Sequence, residues 1–206
     1  PVRRRVKRLV LPLILVPGAA NAHAFSTGAD AYGAFLEGAG VILGYPALIL
    51  PLATLAVALA LWKTEGMVAA WPAFLIGQVI GMALAPLVGL WIALVPLAFG
   101  LVLGALSATA PLERLGPAMP VFAGLTGAAV MAAALEGHSF TEIGVAIRLG
   151  LFVAANIATA ALAGVVRVIL ERWDGQVARI GARIAASWLA AILVLYLAFA
   201  VAGPAV

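Results

Sequence analysis

Apolar residues in this chain come in runs of about twenty, separated by short polar turns, instead of in the spaced stripes of a soluble helix. The runs cover roughly 39–62, 68–87, 90–109, 118–135, 144–170 and 184–201. Each is close to the ~20 residues that cross a ~30 Å hydrocarbon core at ~1.5 Å per residue. They predict an all-α, polytopic membrane helix bundle of six transmembrane helices. The polar breaks are Lys63-Thr64-Glu65-Gly66, a tight turn from Pro86 to Gly89, Pro111 to Pro117 with Glu113 and Arg114, and the loop Glu136 to Glu142. The last break is Glu171 to Gly175, followed by Arg179 and Arg183, and it reads as an amphipathic piece on the membrane surface. Pro46 and Pro51 inside the first run predict a kink, because proline leaves a backbone carbonyl without its helical donor. Trp71-Pro72 reads as an interfacial anchor and a first-turn signal of the second helix. Gly40-x3-Gly44, Gly77-x3-Gly81 and Gly100-x3-Gly104 offer three small faces for close helix approach.

A shorter apolar run, residues 9–22, is of a different kind. Arg3, Arg4, Arg5, Lys7 and Arg8 precede it, Pro12 and Pro17 interrupt it, and it closes on Ala20-Asn21-Ala22. A basic start, a short apolar stretch and a small-x-small ending are the pattern of a secretory signal peptide. The expected organisation is a cleavable signal peptide over 1–22 and a membrane domain over 23–206. Cleavage there leaves His23 at the new N-terminus, where amine and ring together can hold a metal.

Composition agrees with lipid as the solvent: 66% of residues are hydrophobic and 10% charged, against ~25% charged in soluble domains. The absence of cysteine excludes disulfides, thiolate metal sites and iron–sulfur clusters. The formal charge of +4 raises nucleic acid as a partner, but five of the twelve basic residues belong to the signal pattern. The other seven face eight carboxylates, so no nucleic-acid partner is expected and the bilayer is.

Charge also sets the sidedness. Lys63, Arg114, Arg167, Arg172, Arg179 and Arg183 fall in alternate turns, and the opposite turns hold only Arg148. The positive-inside rule makes the first group cytoplasmic, in agreement with a signal peptide that exports residue 23. The outer side then holds both histidines, His23 and His138, with Asp30, Glu37, Glu136 and Glu142. The four inner carboxylates, Glu65, Glu113, Glu171 and Asp174, each sit near a basic residue. Imidazole nitrogen with carboxylate oxygen and no sulfur suits nickel, cobalt, copper(II) or zinc. Glu136, His138 and Glu142, assisted by His23, Asp30 and Glu37, are therefore the candidate metal ligands. At mid-span the chain offers only the amides Gln78 and Asn156, which read as interhelical hydrogen-bonding glue. No nucleophile elbow, paired-histidine zinc helix or glycine-rich phosphate loop occurs, so an enzyme is not expected.

These features together resemble the HupE/UreJ family. The resemblance is carried by the signal ending at a histidine, Gly33-Ala-Phe35-Leu-Glu37-Gly38, the stretch Leu55 to Leu59 closing at Trp62, Trp71-Pro72-Ala-Phe74, Gly77-x3-Gly81 and Glu136-Gly137-His138. It implies a bacterial inner-membrane protein with six spans, accessory to hydrogenase or urease maturation, that moves nickel or cobalt from the periplasmic side. The family's first span carries a His-Pro…Asp-His motif. Here that region reads Gly44-Tyr45-Pro46 through Pro51-Leu52, keeping a proline and neither histidine nor the aspartate. The family's later loop holds two histidines, and here His138 falls at its variable position. The leading expectation is metal handling. The alternative is a non-transporting integral subunit of a membrane complex, or a homo-oligomer, that has lost the metal site.

Overall fold

In the computed structural model, which describes residues 30–139, 141–173 and 175–202, the chain is all-α, with no strand among those residues. The signal-peptide pattern and His23 lie outside the described residues. Seven helices follow in order: α1 (Ala31–Gly44), α2 (Pro46–Trp62), α3 (Gly66–Leu84), α4 (Leu94–Thr109), α5 (Ala118–Ala134), α6 (Val145–Arg172) and α7 (Gly175–Ala202). Short 3-10 turns at Ala85–Leu87 and Leu90–Ala93 join α3 to α4, and another at Leu112–Leu115 joins α4 to α5.

All six apolar runs are helical, but six spans is more than the structure supports. Four segments are individually long and apolar enough to cross a membrane: Gly66–Leu87, Leu90–Thr109, Val145–Arg172 and Gly175–Ala202. The first run is broken into α1 and α2, bent by 70°, and qualifies only as a pair. Helix α5 has 17 residues, about 26 Å at ~1.5 Å per residue and short of a ~30 Å core. The expected kink is thus a full break at Tyr45, whose backbone is extended (φ −102°, ψ 111°) as proline demands of the residue before it. Pro46 opens α2 with its missing N–H at no cost, and the Tyr45 carbonyl accepts from the Leu48 and Ile49 amides. The expected surface piece is likewise no separate element. Residues 175–202 form one helix, with Arg179 and Arg183 in its first turns.

Helix α2 is the hub. Apolar on every side, it is buried at twelve of its seventeen positions, as a helix without a polar face must be. It touches α1, α3, α4, α5, α6 and α7. Helix α7 is its opposite, burying only Ala178, Ala186 and Leu193 among 28 residues, a narrow stripe spaced by two turns. That stripe packs on α4, where a side-chain carbon on Gly100 would meet Pro51 and Leu193, and one on Gly104 would meet Thr54, Ala190 and Ala186. The tightest pair is α3 with α5, where Gly77 faces the Gly124 backbone and Gly81 faces Ala128. Gly40 and Gly44 have nothing nearby among the described residues, so that motif packs on none of the described helices. Gly38, against Ile147, and Gly150, against Phe35, bring α1 onto α6 instead.

The charged turns separate to two ends. At one, Lys63, Glu113, Arg167 and Arg179 line a common cavity, and at the other Pro86 of the α3–α4 turn meets His138, Ser139 and Arg148. The first end holds two exposed ion pairs, Arg167 with Glu171 and Arg179 with Glu113. Hydrogen bonding to backbone and to Arg179 holds the Glu113 carboxyl below its ordinary value. A lowered folded-state pKa contributes stability above the unfolded value of 4.5 and loses it as pH falls through the folded one. Glu113→Gln is therefore expected to lower stability slightly at neutral pH, by under ~1 kcal/mol for so exposed a pair, read as a small fall in melting temperature. The difference from wild type should close in melts run well below pH 4.5 and in high salt.

Candidate functional site

The loop from Leu135 to Gly144 follows directly from how α5 ends. Gly137 adopts φ +77°, a left-handed conformation that favours glycine. The reversal returns the His138 amide to the Leu135 carbonyl at 3.3 Å and sets the His138 ring beside its own turn, with Nδ1 2.9 Å from the Glu136 carbonyl. A carbonyl only accepts, so Nδ1 carries the proton, and in the neutral ring Nε2 is the nitrogen with the lone pair. Three residues on, Ser139 and Glu142 close a second turn. The Ser139 amide donates to Glu142 Oε2 at 2.8 Å, and the Glu142 amide donates back to the Ser139 carbonyl at 3.3 Å.

The two carboxyls of the loop are consequently unlike. The Ser139 amide, and then the Ser139 side chain, hold Glu142 below its ordinary value, with the nearby His138 charge adding to this. Glu136 is half-buried, and loss of water pushes its carboxyl up. His138, Ser139 and Arg148 share a small crevice with Met82, Ala85, Pro86, Leu135 and Ile143, which joins this loop to the α3–α4 turn.

The remaining expected ligands are placed differently. Asp30 caps α1, accepting from the Gly33 amide through Oδ1 at 2.6 Å, a standard use of aspartate at a helix start. Glu37 lies on α1 next to Gly38, which crosses α6 at Ile147 and so brings that part of α1 to the end of α6 that follows the loop. Among the described residues, no three histidine, aspartate or glutamate side chains are grouped so as to hold a metal ion. Glu136, His138 and Glu142 share one loop without converging on a common point.

A polar network joins α3 to α6, and its Trp71 member went unread in the sequence. Trp71, expected as an interfacial anchor, donates through Nε1 to Asn156 Oδ1 at 3.1 Å. Asn156 Nδ2 donates to Gln78 Oε1 at 3.0 Å and to the Phe152 carbonyl at 2.8 Å. Helix α3 begins at Gly66, so Pro72 is interior to it and not its first residue. The two amides do act as glue between α3 and α6, as their types suggested. Three buried hydroxyls turn inward on their own helices: Thr54 bonds the Leu50 carbonyl, Ser107 that of Leu103 and Thr159 that of Ala155. Gln78 Nε2 and Thr126 Oγ1 are buried without a hydrogen-bond partner, on the facing helices α3 and α5.

These features define a class: an all-α protein with several helices long and apolar enough to cross a membrane, closely packed by glycine contacts, with polar ends and few polar side chains in its interior. Comparison with family models, curated proteins and solved structures finds no match.

Proposed function

We propose that this chain is a multi-pass protein of the bacterial inner membrane, similar to the HupE/UreJ proteins, that receives a divalent transition metal on its periplasmic side. Nickel or cobalt is the first choice of cargo, with copper and zinc next. The observation that carries the reading is the His138 ring. A histidine that donates Nδ1–H to a backbone carbonyl has its other nitrogen fixed as the ligating one, the outer-shell arrangement metal-binding histidines use. The Glu136 carboxylate belongs to the same turn, and Glu142 adds charge nearby. A cargo ion must leave as well as enter, so an incomplete donor set is what a docking point requires. His23, Asp30 and Glu37 are the further donors that the mature N-terminal segment brings to this set.

A second reading, a membrane subunit without transport, draws on the interior. Thr54, Ser107 and Thr159 are bonded within their own helices and the two amides to each other, so among the described residues only Gln78 Nε2 and Thr126 Oγ1 are left in the interior for an ion to meet. Calorimetric titration separates the two. Nickel, cobalt, copper and zinc would each be added to the purified mature protein and to Glu136→Ala/His138→Ala. The first reading expects saturable binding, weakened at least tenfold in the variant. Wild-type protein that takes up none of the four metals would overturn it and leave the subunit reading.

A further inference from the structure

A cavity rich in cations lies at the opposite end of the bundle from His138. It measures about 370 Å³, within the ~300–1,000 Å³ typical of small-molecule sites. Three elements far apart in sequence supply its cations: Lys63 after α2, Arg167 near the end of α6 and Arg179 in the first turns of α7. Thr64, Trp62 and Glu113 complete the polar part of its wall.

The cations are held in place. Arg167 is fixed twice, by Nε on Glu171 at 2.7 Å and by Nη2 on Thr64 Oγ1 at 3.1 Å. Glu113 fixes Arg179. Each guanidinium has five N–H donors, so these bonds orient it and use only part of its capacity. Lys63 lies over the Trp62 ring at 4.4 Å and makes no ion pair among the described residues. The lining residues carry three positive charges against the carboxylate of Glu113, and Glu171, paired with Arg167 outside the lining, brings the described carboxylates to two, which leaves a net positive charge.

Depth decides what anion fits. Helices α6 and α7 each have 28 residues, about 42 Å at ~1.5 Å per residue and longer than a ~30 Å hydrocarbon core. The cavity lies where α6 ends and α7 begins, among the charged turns of that end of the bundle, which is the depth at which lipid headgroups meet a spanning helix pair. Immediately beside it, α7 turns Val177, Ile180 and Ile184 outward, all exposed, while Arg179 faces the cavity. A cationic recess with an apolar helix flank beside it matches a molecule with an anionic head and an apolar tail.

We propose that this cavity binds the phosphate-bearing headgroup of an anionic phospholipid, gripped by Lys63, Arg167 and Arg179, with its acyl chains along the first turns of α7. A basic pocket between helices at headgroup depth is the arrangement that recognises such lipids. The site is separate from the His138 loop and stands whether or not that loop binds metal.

The test uses the full chain in nanodiscs of phosphatidylglycerol or of phosphatidylcholine, released into detergent and weighed by native mass spectrometry. The expected result is one phosphatidylglycerol retained per chain and no comparable retention of phosphatidylcholine. Lys63→Gln/Arg167→Gln should reduce that retention on the order of tenfold or more, while Arg172→Gln, an exposed cation outside the cavity, should not. If the double variant fails to fold, Lys63→Gln alone carries the test, since Lys63 supports no ion pair among the described residues. Equal retention of the two lipids, or retention unchanged in Lys63→Gln, would overturn the proposal. So would saturable binding of inorganic phosphate by protein that retains no phospholipid, because the ligand would then be a soluble phosphate.

Discussion

Gly77→Leu should yield no folded protein. A side-chain carbon at position 77 would collide with the backbone of Gly124, its carbonyl oxygen first, and at position 81 with the Ala128 backbone in the same way. The obstacle is main chain, which cannot rotate aside as a side chain would. Lipid tails are as apolar as leucine, so helices in a bilayer associate through close packing and hydrogen bonds, and the contact closest to van der Waals distance matters most. Overpacking of a well-packed interior costs ~1–3 kcal/mol, occasionally more, when side chains can adjust, and here α3 and α5 must separate along their length. Gly77→Ala and Gly81→Ala should each cost that much, and the pair should expose α5 to proteolysis. Gly40→Ala is the internal control, because nothing among the described residues lies within reach of a side chain there. Thermal melting in detergent of the three alanine variants would check this, and an unchanged melt for Gly81→Ala would show that the α3–α5 contact is looser than described here.

What could be read from the sequence was whatever the partition between water and lipid decides. Runs 68–87, 90–109 and 118–135 correspond within a residue or two to Gly66–Leu87, Leu90–Thr109 and Ala118–Ala134. The turns at Lys63–Glu65 and Pro111–Pro117 were equally plain, since charge and proline leave a hydrocarbon core for the same reason in any fold. Features set by neighbours were not legible. Pro46 and Pro51 look alike in sequence, yet only Pro46 breaks the chain. Pro51 stays helical in the middle of α2, where it is buried against Gly100, and the surrounding helices hold Leu50 in a conformation that a following proline disfavours. Gly40-x3-Gly44 matched the spacing of a packing face, and Gly38 and Gly150 do that work instead, because spacing alone does not say which side of a helix has a neighbour. The loop residues Glu136, His138 and Glu142 stood out by composition. That the His138 ring would turn onto the Glu136 carbonyl depends on the left-handed Gly137 between them, and that is a matter of backbone conformation.

Asn156→Leu is the second large effect expected, and its asymmetry with Gln78 makes it informative. Asn156 is the centre of the interior network. Its loss strips the Trp71 indole N–H of its acceptor and Gln78 Oε1 of its donor in one step. Gln78 is fully buried and already carries an unpartnered Nε2, so after the substitution neither polar atom of its amide is satisfied. Hydrogen bonds between membrane helices average ~0.6 kcal/mol and reach ~1.7, whereas stranding a buried polar group costs ~1–3 kcal/mol. The expected loss is therefore about 2–3 kcal/mol, more than the two bonds alone would give. Gln78→Leu should cost much less, because Asn156 keeps the Phe152 carbonyl and the Trp71 indole, and a buried amide nitrogen without a partner is removed with it. The double variant Gln78→Leu/Asn156→Leu should then recover part of what Asn156→Leu loses, since replacing both partners by apolar groups leaves only Trp71 to find water or lipid headgroups. Steric-trap or denaturant unfolding of the three variants in one detergent would measure this cycle. Strictly additive losses would mean the two amides do not interact in the folded protein. Recovery would establish that α3 and α6 are joined through Asn156, and that the bundle interior is built to be closed at this level.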